Sequence, residues 1–294
     1  MHPKWEGQEG LRYVVVGHLS KDLTEGGYIL GGTSFYSSLT ARRLGAEVFI
    51  LSSFGDDLDI SSIPDDIVIN KIPSLSTTTF QNVYDPSGRR RQRILGRASS
   101  LSPMDLPPEW RNPSILHLGP IAWEVEIDGR WKEWNEGSLI GLTPQGWMRK
   151  ARGEDVEWRE WDGWTKAGEI AHVAITSIED LAFRYDLAEA YASNFRIFVL
   201  TTGSDGCVVF EGGSERKVPA FPANVVDPTG AGDVFAAAFL IRLLETEDPL
   251  ESAIFANMAA AISLEGRGGT RIPYRDEVEG RLKGFWSRPR MDRL

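Results

Sequence analysis

The residues with the clearest chemistry are Asp227-Pro228-Thr229-Gly230-Ala231-Gly232-Asp233. A β-like run, Arg216 to Val226, precedes them, and the apolar segment Val234 to Leu244 follows, so Gly-x-Gly falls where a loop enters a helix. The first amides of a helix have no intrahelical acceptor, and that end of the helix dipole is positive. Two glycines let an anion approach the backbone closely. Asp233 then sits in the first turn, beside the anion site. A carboxylate there suits the helix dipole but repels a bound phosphate. The conflict resolves if Asp233 accepts the proton of a hydroxyl that attacks that phosphate. A Gly-rich turn with a helix-capping Asp is the plainer reading of the same residues.

Other polar residues carry weaker signals. Tyr13 to Val16 reads as a buried strand ending in Gly17-His18-Leu19-Ser20-Lys21-Asp22. In open parallel sheets ligands bind beyond the carboxyl ends of strands, which is where Asp22 falls; an ordinary turn residue is the alternative. His18 reads as a packed or exposed histidine before it reads as a ligand contact. Arg89, Arg90, Arg91, Arg93 and Arg97 crowd one strand. A solvated basic face explains them, and one Arg reaching substrate or phosphate is the sharper reading. Cys207 lies in an apolar strand and reads as core.

Competing chemistries leave no trace in the chain. There is no G-x-x-x-x-G-K-[ST], no H-E-x-x-H and no G-x-S-x-G, and G-A-G-D-V-F lacks the third Gly of a dinucleotide fingerprint. The chain has 294 residues, 41% hydrophobic and 25% charged, which is globular composition. A net charge of −10 argues against a nucleic-acid partner, since phosphate backbones select basic surfaces. One cysteine excludes an internal disulfide framework. With no signal-peptide pattern and no long apolar run, we expect a cytoplasmic chain without a membrane partner.

The elements that must position these residues alternate along the chain. Thr33 or Ser34 caps a helix that runs to about Leu44 and ends at Gly45, and Glu47 to Ser52 follows as a strand. Thr77 to Tyr84 and Arg89 to Gly96 form a β-hairpin around the turn Asp85-Pro86-Ser87-Gly88. Ser114 to Leu118, Leu139 to Leu142, Ile170 to Ile175, Phe195 to Leu200 and Cys207 to Phe210 read as further strands, and Leu250 to Leu264 as a helix. Seven of the ten tryptophans lie between Trp123 and Trp164, as packing or as a subunit contact. The alternation implies a parallel or mixed sheet with helices on both faces.

Asp227 to Phe239, D-P-T-G-A-G-D-V-F-A-A-A-F, closely resembles the C-terminal signature of the ribokinase (PfkB) family of carbohydrate kinases. Gly31, Gly32, Leu44 and Gly45 fit the family's N-terminal signature, G-G-x-x-x-N-x-A followed by a helix ending in L-G. Here Tyr36 takes the place of the Asn and Ser38 that of the Ala. The resemblance covers roughly residues 13 to 275. It implies an α/β, ribokinase-like three-layer sandwich with a central mostly parallel sheet and a small β lid. The kinase domain would span 11–280, with lid strands near 24–31 and 77–97, and 281–294 would be a loose tail. It implies that Gly230, Ala231 and Gly232 form the anion hole and that Asp233 is the catalytic base. Asp22, Gly31, Gly32, Tyr36 and Gln145 would meet the substrate, and Thr202, Gly203, Gly206, Asn257 and Gly269 the nucleotide. The turn at Thr202 to Gly206 also reads as a plain hairpin turn.

The family commonly holds its metal through N-x-x-E at the position of Ser177 and Asp180, so those two would hold Mg²⁺ through water; helix N-capping by Ser177 uses the same residues equally well. ATP and Mg²⁺ are the implied cofactors. A homodimer through the lid is implied as well. Gly17 to Asp22 and the Gln145-Gly146 loop are similar to the inositol-kinase-like branch, although Thr143 stands where that branch has Asp. The expected activity is ATP-dependent phosphorylation of a sugar or cyclitol, myo-inositol first. The alternatives are a nucleoside or another sugar, or a non-catalytic nucleotide- or sugar-binding homologue.

Overall fold

Val14, Val15 and Val16 are β-branched and stiff, which suits a pleated strand buried on both faces. The computed structural model, which describes residues 10–84 and 90–287, puts them in the middle of a large sheet. In chain order the elements are β1 (Arg12–Val16), β2 (Ser20–Thr24), β3 (Gly27–Gly31), α1 (Thr33–Arg43), β4 (Glu47–Phe54), β5 (Val68–Pro73), β6 (Thr78–Tyr84), β7 (Arg90–Gly96), β8 (Ile115–Leu118), α2 (Arg130–Glu133), β9 (Leu139–Leu142), β10 (Arg149–Arg152), β11 (Asp155–Trp158), α3 (Trp164–Ile170), β12 (Val173–Ser177), α4 (Tyr185–Ala192), β13 (Ile197–Thr201), β14 (Cys207–Glu211), β15 (Ser214–Val218), α5 (Ala231–Thr246), α6 (Pro249–Ser263) and α7 (Arg275–Trp286). The turn expected at Asp85-Pro86-Ser87-Gly88, Arg89, the side chain of Arg90, the first nine residues and the tail from 288 lie outside the described residues.

The large sheet has the order β15-β14-β13-β12-β9-β8-β1-β4-β5. All its pairings are parallel except those of β13 with β14 and β14 with β15. Alternation along β1 separates two cores. Tyr13 and Val15 pack with α1, α5 and α6, whereas Val14 and Val16 pack with α3, α4 and the Trp-rich segment. Helix α5 is buried from Val234 to Ile241 because the sheet, α1 and α6 surround it, so it is apolar on all sides. These are three layers, as expected. The connections from β1 lead to β4 on one side and β8 lies on the other, so the strand order switches between β1 and β8, where α/β sheets open a ligand crevice.

A second sheet, β10-β11-β7-β6-β2-β3, forms the lid. It is larger than the sequence suggests, because β10 and β11 come from the Trp-rich segment. Other parts of that segment enter the core: Trp131 and Trp161 are fully buried, and Trp161 stacks on Trp147 at 5.7 Å.

Several boundaries differ from the sequence reading. Asp22 lies on β2 and not in a loop. The strand Ser-Lys-Asp-Leu-Thr has no apolar alternation, and its pairing with β3 and β6 decides its state. The strand expected from Arg216 to Val226 stops at Val218, since Pro219 and Pro222 lack the N–H a ladder needs. Residues 170–172 belong to the end of α3 and a turn, and β12 starts at Val173. Residues 281–286, expected in a loose tail, continue α7. Gly32 is the N-cap of α1, so neither Thr33 nor Ser34 caps it.

Candidate active site

Helix α5 begins at Ala231, with Gly230 as N-cap in the left-handed conformation at φ 80°. That conformation favours glycine, and a side chain here would also collide with the Tyr36 ring. The Ala231 amide donates to the Pro228 carbonyl at 3.3 Å. Gly232 occupies the second helical position, where no intrahelical acceptor exists. Asp227 closes the loop: its Oδ1 accepts from the Thr229 amide at 2.9 Å and its Oδ2 from the Gly268 amide at 3.0 Å.

Asp233 is in the first turn of α5 and only partly accessible. The Thr33 hydroxyl, at the start of α1, donates to its Oδ1 at 2.7 Å, and the Ser37 hydroxyl donates to its carbonyl at 3.3 Å. Its carboxyl is pushed up to about 6, first by burial. The Thr33 hydrogen bond and the Arg149 charge oppose the rise, while the charges of Asp180 and Asp22 add to it. A carboxyl in that range titrates where a general base is useful. Thr33→Val keeps the shape and removes the hydrogen bond to the charged form. The acid limb of kcat/KM, expected near pH 6, should therefore move up by about one unit. An unchanged limb in a pH–rate profile of that variant would detach Thr33 from Asp233.

Asp22 joins this group from β2. Its carboxylate lies so close to Gly31 that a Cβ there would clash, and Gly32 leaves room for the His18 carbonyl. The two glycines thus admit protein groups to the backbone, where the sequence suggested a ligand. Tyr36, expected to meet the substrate in the place of the family Asn, is only 2% exposed. Its ring lies behind Gly230 and edge-on to Phe35, and its buried hydroxyl has no hydrogen-bond partner among the described residues. Burial, then the charges of Asp22, Asp233 and Asp227, raises its pKa.

Gln145 donates to Asp180 Oδ1 at 3.2 Å, and Ser177 donates to Asp180 Oδ2 at 2.7 Å while accepting from the Asp180 amide at 3.0 Å. Ser177 therefore closes a turn. It does not cap a helix, since α4 starts only at Tyr185. Thr143, in the place of an Asp, pairs with His117 Nε2 at 3.2 Å, and His117 Nδ1 pairs with the Tyr13 hydroxyl at 2.6 Å. Burial lowers His117 to about 3, so this buried chain is neutral.

The residues expected at the nucleotide lie further along the sheet edge. Thr202, Gly203 and Gly206 form the turn between β13 and β14, with the Thr202 amide donating to the Gly206 carbonyl at 2.8 Å. Asn257 on α6 donates to the carbonyls of Val218 and Pro219 at 3.3 and 3.1 Å, which makes it a brace for the loop after β15. Gly269 does not join that group; it packs on Phe35 and Leu39 of α1.

Sequence reasoning passed over Glu124. It is fully buried, and its carboxylate accepts from the amides of His18 at 3.0 Å, Ile121 at 3.0 Å and Ala122 at 2.6 Å. It thereby holds together the loops after β1 and β8, on either side of the crevice. The available signal was a single acid directly after the apolar run Leu118 to Trp123. His18 is likewise structural: Nε2 pairs with the Ser99 carbonyl at 2.8 Å and Nδ1 with the Thr78 hydroxyl at 2.7 Å, and burial lowers its pKa. Among the basic-strand residues, Arg91 and Arg93 pair with Asp155 and Glu154 within the lid. Arg97 donates to the carbonyls of Ala122 and Trp123, at 2.9 and 3.2 Å.

Residues 164–275 match the family described as pfkB family carbohydrate kinase. The chain is 41% identical over 97 residues to a ribokinase of Bacillus subtilis, covering 32% of this chain and 32% of that protein. It is 34% identical over 91 residues to an inositol 3-kinase of Arabidopsis thaliana, covering 29% of this chain and 26% of that protein. Against a cytidine kinase of Thermococcus kodakarensis it is 25% identical over 247 residues, 78% of this chain and 87% of that protein. The first curated relatives are thus matched over about a third of their length or less. A pyrophosphate-dependent kinase of the ribokinase family, solved with a pyrophosphate analog and myo-inositol, superposes with a TM-score of 0.75 at 20% identity, over 91% of this chain and 99% of that one. The fold is ribokinase-like.

Proposed function

Because this chain carries a pfkB family carbohydrate kinase domain, we propose that it transfers the γ-phosphoryl group of ATP to a hydroxyl of a sugar or cyclitol, with myo-inositol the leading acceptor. The observation that carries this reading is Asp233, raised to about 6 and oriented by Thr33 at the amide-bearing start of α5. In the proposed reaction the acceptor hydroxyl loses its proton to Asp233 as its oxygen bonds to phosphorus. The first amides of α5 stabilise charge on the moving phosphoryl oxygens. The lid excludes water and limits hydrolysis.

Two adjacent apolar side chains on the loop leading to that helix, Val225 and Val226, are 62% and 52% exposed. A flat apolar base would cover them, which favours a nucleotide donor over bare pyrophosphate. Among the described residues no group of three or more His, Cys, Asp or Glu is arranged to hold a metal. That fits a magnesium ion held mostly by donor phosphates and water, with Ser177 and Asp180 as its protein partners through water. When bound, it would neutralise phosphate charge. Val83 and Leu95 on the lid are exposed, and they support a homodimer through the lid as part of this reading.

The test is the amount of each phosphorylated product formed from myo-inositol, ribose, fructose and adenosine in competition at equal concentration, with ATP and then with pyrophosphate as the donor. Preference for ribose or adenosine would overturn the cyclitol and leave the kinase. Turnover with pyrophosphate alone would overturn the donor. Turnover with none would favour a binding homologue. Asp22 is the proposed acceptor for two neighbouring hydroxyls, so Asp22→Ala should cost roughly 1–3 kcal/mol in kcat/KM.

A further inference from the structure

The large sheet carries the candidate active site at the carboxyl ends of its strands, and a second concavity opens at the amino ends. Leu139, Val173 and Ile197 are the first residues of the neighbouring parallel strands β9, β12 and β13. With Leu243 and Leu244, near the end of α5, they wall a cavity of about 110 Å³. Asp233 lies in the first turn of the same helix. The rise of an α-helix puts Leu243 about 15 Å further along its axis.

Four charged or titratable side chains surround this apolar floor: His172, Arg196, Glu136 and Glu247. His172 Nδ1 accepts from the Ile140 amide at 3.0 Å, which leaves the ring proton on Nε2. Burial, then the charges of Lys132 and Arg196, lowers its pKa, so the ring stays neutral. No described residue accepts from Nε2. The Ile197 amide donates to the His172 carbonyl at 3.2 Å, so His172 and Arg196 stand at the entrances of adjacent strands. Arg196 is exposed and has no ion-pair partner among the described residues, and the same holds for Glu136 and Glu247. Glu247 closes α5 in the left-handed conformation at φ 55°, where glycine is the usual residue. Its amide donates to the Leu243 carbonyl at 2.9 Å.

Apolar walls with a few polar groups are the make-up of a small-molecule site. The volume takes an aliphatic side chain and excludes a nucleotide. Arg196 and the His172 N–H suit a carboxylate. Glu136 and Glu247 repel a simple anion and suit an ammonium group. We propose that this cavity binds a free amino acid with a branched aliphatic side chain. Its carboxylate meets Arg196 and His172, its ammonium meets Glu247 and Glu136, and its side chain fills the apolar floor. No residue assigned to phosphoryl transfer lines the cavity, so the proposal stands apart from the kinase reading.

Calorimetric titration of the full chain with L-leucine tests it, beside isocaproate, which lacks the ammonium group, and isoamylamine, which lacks the carboxylate. Leucine should bind with a Kd below about 1 mM, and each truncated ligand about 10-fold more weakly or worse. Arg196→Ala should lose about 10-fold or more in leucine affinity. Glu247→Gly should lose about 3- to 10-fold and melt no lower than the wild type, since glycine suits the left-handed backbone. Asp233→Asn should bind leucine as the wild type does, because it lies at the other end of α5. Absence of binding up to about 10 mM leucine overturns the proposal. Unchanged affinity in Arg196→Ala and Glu247→Gly also overturns it. Isocaproate binding as tightly as leucine overturns the amino acid in favour of a plain carboxylate. Loss of leucine binding in Asp233→Asn would move the ligand to the carboxyl end of the sheet and overturn the second site. None of these readouts uses phosphoryl transfer, so failure here and failure of the kinase reading are separate results.

Discussion

Asp233→Asn should lose about 10²-fold or more in kcat, the scale of a general base, and should melt at a higher temperature than the wild type at pH 8. The two effects have one cause. The carboxyl is raised from 3.8 to about 6, mainly by burial, so its ionised form is disfavoured in the folded chain. Below the unfolded pKa the group is neutral in both states and costs nothing. As the pH rises through the folded value, the folded chain must carry a charge it solvates poorly, and that cost stays in full above it. Asparagine removes the cost while still accepting from Thr33. The gain should be on the order of 1–3 kcal/mol at pH 8, or several degrees in Tm. It should shrink towards pH 4. Melting curves at both pH values, set beside kcat, check this. Near-wild-type turnover would remove Asp233 from the role of base, and a lower Tm at pH 8 would remove the burial argument.

Glu124→Ala should be the most destabilising of the changes considered. The side chain is fully buried, and its carboxylate serves the amides of His18, Ile121 and Ala122. Removing it leaves those donors without a partner, at about 1–3 kcal/mol each before relaxation, so a loss of about 3–5 kcal/mol is expected. The melting temperature should fall by about 6–15 °C. These amides shape both banks of the crevice between β1 and β8, so kcat/KM should fall even at temperatures where the variant is folded. Glutamine, which keeps one acceptor oxygen, should lie between. Denaturant titration checks the stability, and a loss below about 1 kcal/mol would mean that water or a local shift replaces the carboxylate.

The loop-to-helix junction at Asp227 to Asp233 is readable in the sequence because its determinants are local. Two glycines, an acid and an apolar helix within thirteen residues define a helix start with a bare amide end, and α5 begins there. The inner strands of the large sheet are readable for the same reason, as short apolar runs, whereas the edge strand β5, with Asn70 and Lys71 at its centre, is not. Strands β2 and β10 are polar and without alternation, and β11 alternates over only four residues, so their partners across the ladder make them strands.

Within the site, residue types alone name Asp233 and Asp22 as candidates, and the tertiary structure decides what surrounds them. Thr33 lies 200 positions before Asp233, and only the packing of α1 on α5 brings its hydroxyl to the carboxylate. Tyr36 takes the place of a family Asn, and packing sets its ring against Gly230. Glu124 gains its role from loops that meet across the sheet. Local chemistry is written in neighbouring residues and their backbone preferences. A pKa near 6 and a buried carboxylate depend on burial and on charges distant in the chain, and those exist only once the layers have packed.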